Sequence, residues 1–412
     1  MKGIKKFVAI LIVAGFFGSL MMVPAAYSTS KIRFGVSIPL TGLFGKAGKI
    51  VLDSYKLWAK KVNSQGGILI KGKRFPVELV YYDDKSNPDV SAKLIEKLIT
   101  DDKVDLLLGG YGSSLVFAAS AIAEKYRYPM ISGGASSNKL FERGFRYYFA
   151  TLGKATEEVR GCVEMLKELK PKPKTVAIVG SDILFTSLAC EGFKKYSKEA
   201  GFKIVHFELF PIDLQDYNSM LLKVKKENPD VLLVGSHTLV AIKTVKAMKE
   251  IDFSPKAVAF SYGPTVPDFV KSVGKLGEYV FAASEWTPNL PYKGPVFGTA
   301  ANFDKTYFKE YKRNPDYVEA AAAAAAVTQQ LALEQLGLQP PYDGVKREAL
   351  MKKLHTIDVK TFYGEIRFGK DGANVAHPPV AIQIQKGKVV NVFPKEVRQA
   401  APVYPMPAWK KR

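Results

Sequence analysis

The stretch VDLLLGGYGSS, from Val104 to Ser114, predicts an α/β fold. Val104 to Leu108 is a short apolar run, which is typical of a parallel strand that is covered on both faces. The glycines that follow permit a tight turn, and a helix is predicted to begin near Ser113, which suits the N-cap for Leu115 to Tyr126. A helix that begins at the carboxyl end of a parallel strand offers free N–H groups to an anion. The stretch is therefore a candidate ligand site, although most N-cap serines bind only their own backbone.

A second stretch has the same design. YPMISGGASSN, from Tyr128 to Asn138, predicts a short strand that ends at Gly133 and Gly134 and is followed by small hydroxyl residues. We expect two such loops to converge on one ligand.

The first 28 residues, MKGIKKFVAILIVAGFFGSLMMVPAAYS, have the pattern of an export signal. A basic start precedes an apolar stretch from Phe7 to Val23, and small residues follow it. Cleavage is expected after Ser28, with cleavage after Ala25 as the alternative. An uncleaved anchor is a further alternative, since the apolar length just permits one. No cysteine stands directly after the signal, which argues against a lipoprotein.

The chain is strongly basic. Removal of the signal takes away three lysines and no acids, so the formal net charge of +21 falls by three to +18. The lysines are spread over predicted helix faces, for example at Lys194, Lys195 and Lys198, without a patch of interleaved aromatic residues. This pattern favours a solvated surface over a nucleic-acid partner, and the charge excess also favours anionic membrane surfaces or anionic solutes.

The sequence contains no signature of a metal or cofactor site. The four histidines are scattered without ligand spacing, so we predict no metal and no cofactor. Cys162 and Cys190 are the only thiols, and an exported protein can join two such residues in a disulfide. Sequence does not give the distance between their Cα atoms, so the disulfide stays open.

Motifs of common enzymes are also missing from the sequence. The segment Gly112-Ser113-Ser114-Leu115 lacks the second glycine of a nucleophile elbow, and Leu115 stands where a dinucleotide fingerprint needs its third glycine. The acidic pairs Asp83-Asp84 and Asp101-Asp102 are interpreted as solvated or capping acids. We therefore predict that the protein is not an enzyme.

Strands alternate with helices along most of the chain, which predicts two α/β domains. A helix from Tyr317 to Leu336 contains the alanine run, and Gly364 to Phe368 is predicted to join Val380 to Gln385 and Val389 to Phe393 in a terminal antiparallel segment. The proline-rich tail after Pro394 is expected to be poorly ordered. The other predicted strands are Ile32 to Ile38, Phe75 to Tyr82, Val176 to Val179, Lys203 to Phe210, Val231 to Val234, Ala257 to Ser261 and Tyr279 to Ala283.

Five motifs occur together in a characteristic order: PLTG at 39–42, VNSQGGI at 62–68, YYDDKSNP at 81–88, GGYGSS at 109–114 and YPMISGGASSN at 128–138. Each motif alone is weak, but the ordered set is fairly specific. With this set, and a likeness that continues through WTPNLPYKGPVFG to YGEIRFGKDG, the chain resembles the Leu/Ile/Val-binding protein family over nearly its whole mature length.

The resemblance implies a type I periplasmic binding protein: two Rossmann-like α/β lobes with parallel-sheet cores, joined by three crossovers near residues 152, 284 and 360. Such a protein is a periplasmic, monomeric receptor that delivers a small solute to the permease and ATPase of an ABC importer. Lobe one is expected to comprise 29–152 and 285–360, and lobe two 153–284 and 361–395. Residues 396–412 form the tail.

The resemblance also implies a set of ligand-binding residues in the cleft. Ser113 and Ser136 would bind a ligand carboxylate together with the backbone of Gly134 and Ala135. Phe185 would form an aromatic wall with His237 opposite, and Phe44 and Trp286 would line the cleft. Core packing is the alternative role for each of these four residues. Tyr262, in the loop FSYGP at 260–264, completes the set.

That loop departs from the family pattern, because amino-acid receptors usually place there an acid that meets the ligand ammonium. Glu285 or Asp268 are possible replacements, but nothing in the sequence places either in the cleft. The ligand is then an amino acid that is held differently or a carboxylate without an ammonium. The carboxylate is favoured, because desolvating an ammonium that has no acidic partner is costly. An exported sensor module that signals to a membrane partner is the alternative function.

Overall fold

The structure, a computed structural model, describes residues 30–411, so the predicted signal peptide at 1–28 lies outside the described residues. Within that range the α-helices are α1 (Gly45–Asn63), α2 (Pro88–Thr100), α3 (Ser113–Lys125), α4 (Ala155–Glu158), α5 (Arg160–Glu168), α6 (Leu184–Glu199), α7 (Tyr217–Lys226), α8 (Thr238–Glu250), α9 (Pro267–Val273), α10 (Ala300–Tyr311), α11 (Tyr317–Leu336) and α12 (Gly344–Leu354). The strands are β1 (Ile32–Ile38), β2 (Ile68–Ile70), β3 (Lys73–Phe75), β4 (Val77–Asp83), β5 (Leu106–Leu108), β6 (Met130–Ser132), β7 (Tyr148–Ala150), β8 (Thr175–Ser181), β9 (Lys203–Phe210), β10 (Val231–Gly235), β11 (Ala257–Phe260), β12 (Phe281–Ser284), β13 (Lys293–Gly294), β14 (Gly298–Thr299), β15 (Asp358–Thr361), β16 (Gly364–Arg367), β17 (Val380–Gln385) and β18 (Lys388–Phe393).

The first lobe is built on a parallel sheet in the order β4-β1-β5-β6-β7. Successive side chains of a strand point to opposite faces, and here both faces are buried. Leu106 and Leu108 share a core with α1 and α11, whereas Leu107 packs with α2 and α3 on the other face. This double burial explains why β5 reads as a continuous apolar run.

The second lobe has a seven-stranded sheet in the order β18-β17-β12-β11-β10-β8-β9. Its five strands from β8 to β12 are parallel, and β17 and β18 add an antiparallel edge. Val176 and Ile178 pack on the face that carries α5 and α6, and Ala177 and Val179 pack on the face that carries α7, α8 and α9. The predicted α/β class with parallel-sheet cores is confirmed.

The chain passes between the two sheets after β7, after β12 and before β17. The last passage lies further along the chain than predicted. Ala373 forms a parallel bridge with Ala150 of β7, and the Asn374 side-chain amide donates to the Thr151 carbonyl at 3.0 Å. These contacts hold 373–374 beside the first sheet, so the passage falls between Asn374 and Val380 and not near residue 360.

Two predictions for the end of the chain are wrong. The strand β16 pairs with β15 in a separate two-stranded sheet and does not join β17 and β18. The tail after Pro394 packs on the second lobe, where the Trp409 indole N–H donates to the Phe253 carbonyl at 3.0 Å. Met406 and Trp409 are both buried, so apolar side chains anchor this proline-rich segment.

The acidic pair after β4 is not simply solvated. Asp83 accepts the Leu40 N–H at 2.8 Å and the Thr41 hydroxyl at 2.7 Å, and so holds the PLTG loop. Asp84 is fully buried and accepts the Ser86 N–H at 3.0 Å and the Ser37 hydroxyl at 3.3 Å. The interpretation as a solvated or capping acid is therefore wrong for Asp84.

The two cysteines are free and buried in the core beneath α5 and α6, so they form no disulfide. Between residues 30 and 411, every helix is too short or too polar to cross a bilayer.

Candidate functional site

The carboxyl ends of strands from both sheets meet at a cleft between the lobes. At the bottom of the cleft is an inner cavity of about 20 Å³, enough for one water molecule. Its lining comes from the loops after β5, β6, β7, β10 and β11, from α4 and α6 and from the start of α11. The lining residues are Tyr111, Gly112, Ser113, Gly134, Ala135, Ser136, Leu152, Glu158, Phe185, His237, Tyr262, Tyr317 and Val318.

The two glycine-rich loops of the first lobe pair with each other. Tyr111 and Gly134 form a parallel bridge, and the Gly112 N–H donates to the Gly134 carbonyl at 2.9 Å. A Cβ atom on Gly134 would lie 2.7 Å from the Gly110 carbonyl oxygen. Only glycine therefore permits this close approach, and the glycines seen in the sequence bring the two loops together.

Ser113 connects the same two loops through its side chain. The helix α3 begins at Ser113, as predicted, but Gly112 and not Ser113 is at its N-cap position. The Ser113 Oγ atom accepts the N–H groups of Ser136 at 3.3 Å and Ser137 at 3.1 Å. Since the oxygen accepts both bonds, the hydroxyl hydrogen is left to donate to a further acceptor.

His237 lies at the centre of a cluster of aromatic rings contributed by both lobes. Its ring centroid is 5.3 Å from those of Phe44 and Phe185, 5.9 Å from that of Tyr111 and 6.3 Å from that of Tyr262. Desolvation by these neighbours lowers the pKa of His237 to about 4. The neutral ring accepts a hydrogen bond at Nδ1 from the Tyr111 hydroxyl, 2.9 Å away.

Tyr262 makes a second polar contact across the cleft. Its hydroxyl donates to Asp316 Oδ2 at 2.7 Å. Asp316 is the N-cap of α11, where it forms a reciprocal capping box with Glu319. The start of this buried helix is thereby tied to the loop that follows β11 of the other lobe.

Two buried glutamates lie beside the cavity. Glu158, at the end of α4, lines the cavity and is 3 % exposed. Burial, and next the charge of Glu285, raise the pKa of Glu158 well above its usual range, while hydrogen bonds from the Ser136 and Tyr317 hydroxyls oppose this increase. Glu285 accepts the Gly153 N–H at 2.9 Å and the Tyr363 hydroxyl at 2.5 Å.

Seven of the nine residues predicted from sequence line the inner cavity: Ser113, Gly134, Ala135, Ser136, Phe185, His237 and Tyr262. Phe44 lines a neighbouring outer cavity of about 380 Å³, which shares Tyr111, His237 and Tyr262 with the inner one. Trp286 lines neither, because its indole packs 5.8 Å from the Phe303 ring centroid and donates to the Phe362 carbonyl at 3.0 Å. Asp268 borders the outer cavity.

Sequence reasoning missed Tyr111, Glu158 and Tyr317 as cavity residues. Tyr111 stands between the glycines of the opening stretch, and this position was the available signal. Nothing in the sequence distinguishes Glu158 from the adjacent Glu157, which does not line the cavity. In the described part of the chain, no group of three or more His, Cys, Asp or Glu side chains is arranged to hold a metal ion.

Two α/β lobes, with strand ends that face each other across a lined cleft, define the class of two-lobed ligand-binding proteins. The model of the periplasmic binding protein family matches residues 31–388, and the chain therefore belongs to this family. It is a family of solute-binding proteins.

Relatives and solved structures agree with this membership. The Leu/Ile/Val-binding protein homologs 8 and 7 of Brucella abortus (strain 2308) are 24 % and 23 % identical, over 88 % and 90 % of this chain and 91 % and 93 % of their own lengths. The predicted resemblance to the Leu/Ile/Val-binding proteins is thus confirmed.

Two solved structures carry different ligands on the same fold. The branched-chain amino acid transporter substrate-binding protein LivJ from Streptococcus pneumoniae, in complex with isoleucine, matches with a TM-score of 0.75 at 21 % identity, over 91 % of this chain and 100 % of that one. A solute-binding protein of an ABC transporter from R. palustris, in complex with benzoate, matches with a TM-score of 0.74 at 19 % identity, over 90 % and 99 % of the two chains. At these identities the likeness shows the fold alone.

Proposed function

We propose that this protein is the solute-binding receptor of an ABC importer and holds an amino acid, or a similar small carboxylate, in the cleft between its lobes. The observation that carries the proposal is the pairing of the two glycine-rich loops at the start of α3, opposite the aromatic rings of the second lobe. One wall suits an anion and the other suits an apolar group.

The wall of the first lobe supplies donors. The first N–H groups of α3 have no acceptor within their own helix, and the helix dipole adds a partial positive charge. The hydroxyl hydrogen of Ser113 is a further donor. A ligand carboxylate at this point would receive charge-assisted hydrogen bonds, which are stronger than neutral ones.

The wall of the second lobe supplies apolar surface. Phe185, His237 and Tyr262 of this lobe face the cavity, and Tyr111 of the first lobe lies beside them. An aliphatic or aromatic ligand tail would be enclosed there. Because the lining comes from both lobes, we propose that the ligand is bound by closure of the lobes around the three passages of the chain.

The remaining parts of the proposal follow from export and family membership. The signal pattern at 1–28 supports cleavage and release into the periplasm, where the permease and ATPase of the importer would be the partners. We propose a monomer that binds its ligand without chemical change. The lobes would comprise 30–152 with 285–374, and 153–284 with 380–411.

Thermal-shift screening of refolded, ligand-free protein tests this function. We expect at least one amino acid or small carboxylate to raise the melting temperature, since a ligand that binds only the folded state stabilises it. Ligand recovered after incubation should be unchanged. The proposal is wrong if sugars, nucleosides or peptides stabilise the protein and no amino acid or carboxylate does.

A further inference from the structure

Glu158 is a buried acid that takes no part in the proposed contacts with the ligand carboxylate. Its side chain lines the inner cavity, and its Oε1 atom has no hydrogen-bond partner among residues 30–411. A buried polar atom without a partner costs free energy that a bound ligand can recover. The cavity lining includes no lysine or arginine that would neutralise this carboxyl group.

The other acids near the cavity have their partners. Both oxygens of Glu285 accept hydrogen bonds, from the Gly153 N–H and the Tyr363 hydroxyl. Asp316 accepts the Tyr262 hydroxyl and the first amides of α11. Glu158 is thus the acid at the cavity with an acceptor atom to spare.

The charge that acts on Glu158 most strongly has the same sign as its own. Glu285 acts on it directly, and the pKa of Tyr111 is raised first by burial and then by the charges of Asp316, Glu158 and Glu319. His237, whose pKa is lowered to about 4 by desolvation, is neutral at pH 7 and adds no positive charge. Arg313 borders the outer cavity and not the inner one, and it is paired with Glu319 and Asp53. This part of the cleft is therefore electrostatically suited to a cation.

We propose that Glu158 accepts the ammonium group of the ligand, so that the protein selects amino acids over the matching carboxylates without an amine. The inference rests on the proposed function and specifies its ligand class. Glu158 then replaces the acid that the loop 260–264 lacks, and it does so from α4, which directly follows the first passage between the lobes.

The arrangement gives the two charged ends of an amino acid separate partners. The carboxylate meets the first turn of α3 and the hydroxyl of Ser113, and the ammonium meets Oε1 of Glu158. Ser136 stands between the two, because its N–H bonds to Ser113 and its hydroxyl to Glu158. An ammonium also removes the cost of ionising a buried glutamate, since opposite charges favour the charged form.

Calorimetry with matched ligand pairs tests the assignment. The probes are L-leucine against 4-methylpentanoate and L-phenylalanine against 3-phenylpropanoate, titrated into the wild-type protein and the variants E158Q and E142Q. We expect the amino acid of at least one pair to bind the wild type about 10- to 100-fold more tightly, as a buried hydrogen bond between charged groups implies. E158Q should lose this preference. E142Q, an exposed glutamate in the first lobe, should keep it.

Proton release provides a second readout that a change in packing alone would not produce. Burial and Glu285 favour protonated Glu158 in the free protein, whereas an adjacent ammonium favours the ionised form. Binding at pH 7.5 should therefore release protons, so that the binding enthalpy is more exothermic in Tris than in phosphate buffer. This difference between buffers should vanish in E158Q.

Two results overturn the proposal. If in neither pair the amino acid binds the wild type more tightly than its partner without an amine, Glu158 is not an ammonium acceptor, although the receptor function stands. If an amino acid is preferred equally by E158Q and the wild type, another group binds the ammonium. A chain that binds no amino acid and no carboxylate contradicts the receptor function as well, so the two failures can be distinguished.

Discussion

The Tyr111 hydroxyl lies 2.9 Å from Nδ1 of His237, and this bond joins a strand-end loop of the first lobe to one of the second. Both rings line the inner and the outer cavity, so the pair forms the partition between them. The inner cavity has room for one water, whereas the outer cavity of about 380 Å³ accepts a small solute. We therefore expect a ligand that reaches Glu158 and Ser113 from the outer cavity to open the Tyr111–His237 contact.

Substitution of Tyr111 by phenylalanine should shift the ligand-free protein toward an open form. The variant keeps the ring but loses the hydrogen bond to His237, which is worth about 0.5–1.5 kcal/mol. Small-angle scattering should record a larger radius of gyration for the variant, and saturation with a ligand should make both proteins more compact. The matched control is Tyr342→Phe, since the Tyr342 hydroxyl donates to the Leu338 carbonyl within the first lobe. Equal radii for all three ligand-free proteins would contradict the role of the contact in closure.

Stability should fall in mild acid because of His237. Its folded-state pKa of about 4 lies below the unfolded value of about 6.5, so the unfolded chain binds the proton more readily in this interval. The stability that the neutral ring contributes is complete above pH 6.5 and is lost as the pH falls toward 4. We expect His237→Asn to show a shallower loss in urea unfolding measured from pH 7.5 to 4.5. If the free energy of unfolding falls equally with pH in the variant and the wild type over this range, His237 does not cause the loss of stability.

Substitution of Ser113 by alanine should lower the stability of the ligand-free protein as well as its affinity. The sequence predicts either a ligand contact or an N-cap, but the Oγ atom accepts two buried N–H groups from the neighbouring loop. Loss of this acceptor should reduce the free energy of unfolding by about 1–3 kcal/mol. Ser114→Ala, one position further along α3, is the control and should change it by less than about 0.5 kcal/mol. If both variants unfold at the same urea concentration as the wild type, the loop contact has no energetic role.

Much of the fold could be read from the sequence because buried parallel strands are continuous apolar runs between glycines and polar turns. The bounds of β1, β9, β17 and α11 agree with the predicted ones. The three-residue strands β2, β3 and β7 were missed, since so short a segment has no readable period. The pairing of β16 with β15 depends on which strands lie nearby in three dimensions, which the local pattern does not contain.

The parts of the site that are formed by the backbone of the loops could be predicted from the sequence. The parts that depend on the direction in which a side chain points could not. Glycines followed by hydroxyl residues marked the loops at Ser113 and Ser136. Glu157 and Glu158 are adjacent and chemically identical, yet only Glu158 faces the cavity. Trp286 has the aromatic character of a cleft residue, but a hydrogen bond to the Phe362 carbonyl holds it in the core.

The neighbouring acids Asp83 and Asp84 should have opposite effects on stability. Burial raises the pKa of Asp84 to about 6, and the charge of Asp83 adds to this effect against the hydrogen bonds from Ser86 and Ser37. Burial also acts on Asp83, but hydrogen bonds from Leu40, Thr41 and Lys85 prevail and lower its pKa. Ionised Asp84 thus destabilises the folded protein at neutral pH, whereas ionised Asp83 stabilises it.

Asparagine substitutions separate the two effects. Asp84→Asn removes the buried charge and keeps an acceptor for the Ser86 N–H, so the variant should be more stable than the wild type by about 1–3 kcal/mol at pH 7.5. The advantage should shrink as the pH falls through 6 toward 4, because protonation then removes the same charge from the wild type. Asp83→Asn should be less stable than the wild type at pH 7.5, and its deficit should shrink as the pH falls below about 4. Urea unfolding across this range checks both signs, and a destabilised Asp84→Asn at pH 7.5 would show that Asp84 is stabilising in its ionised form.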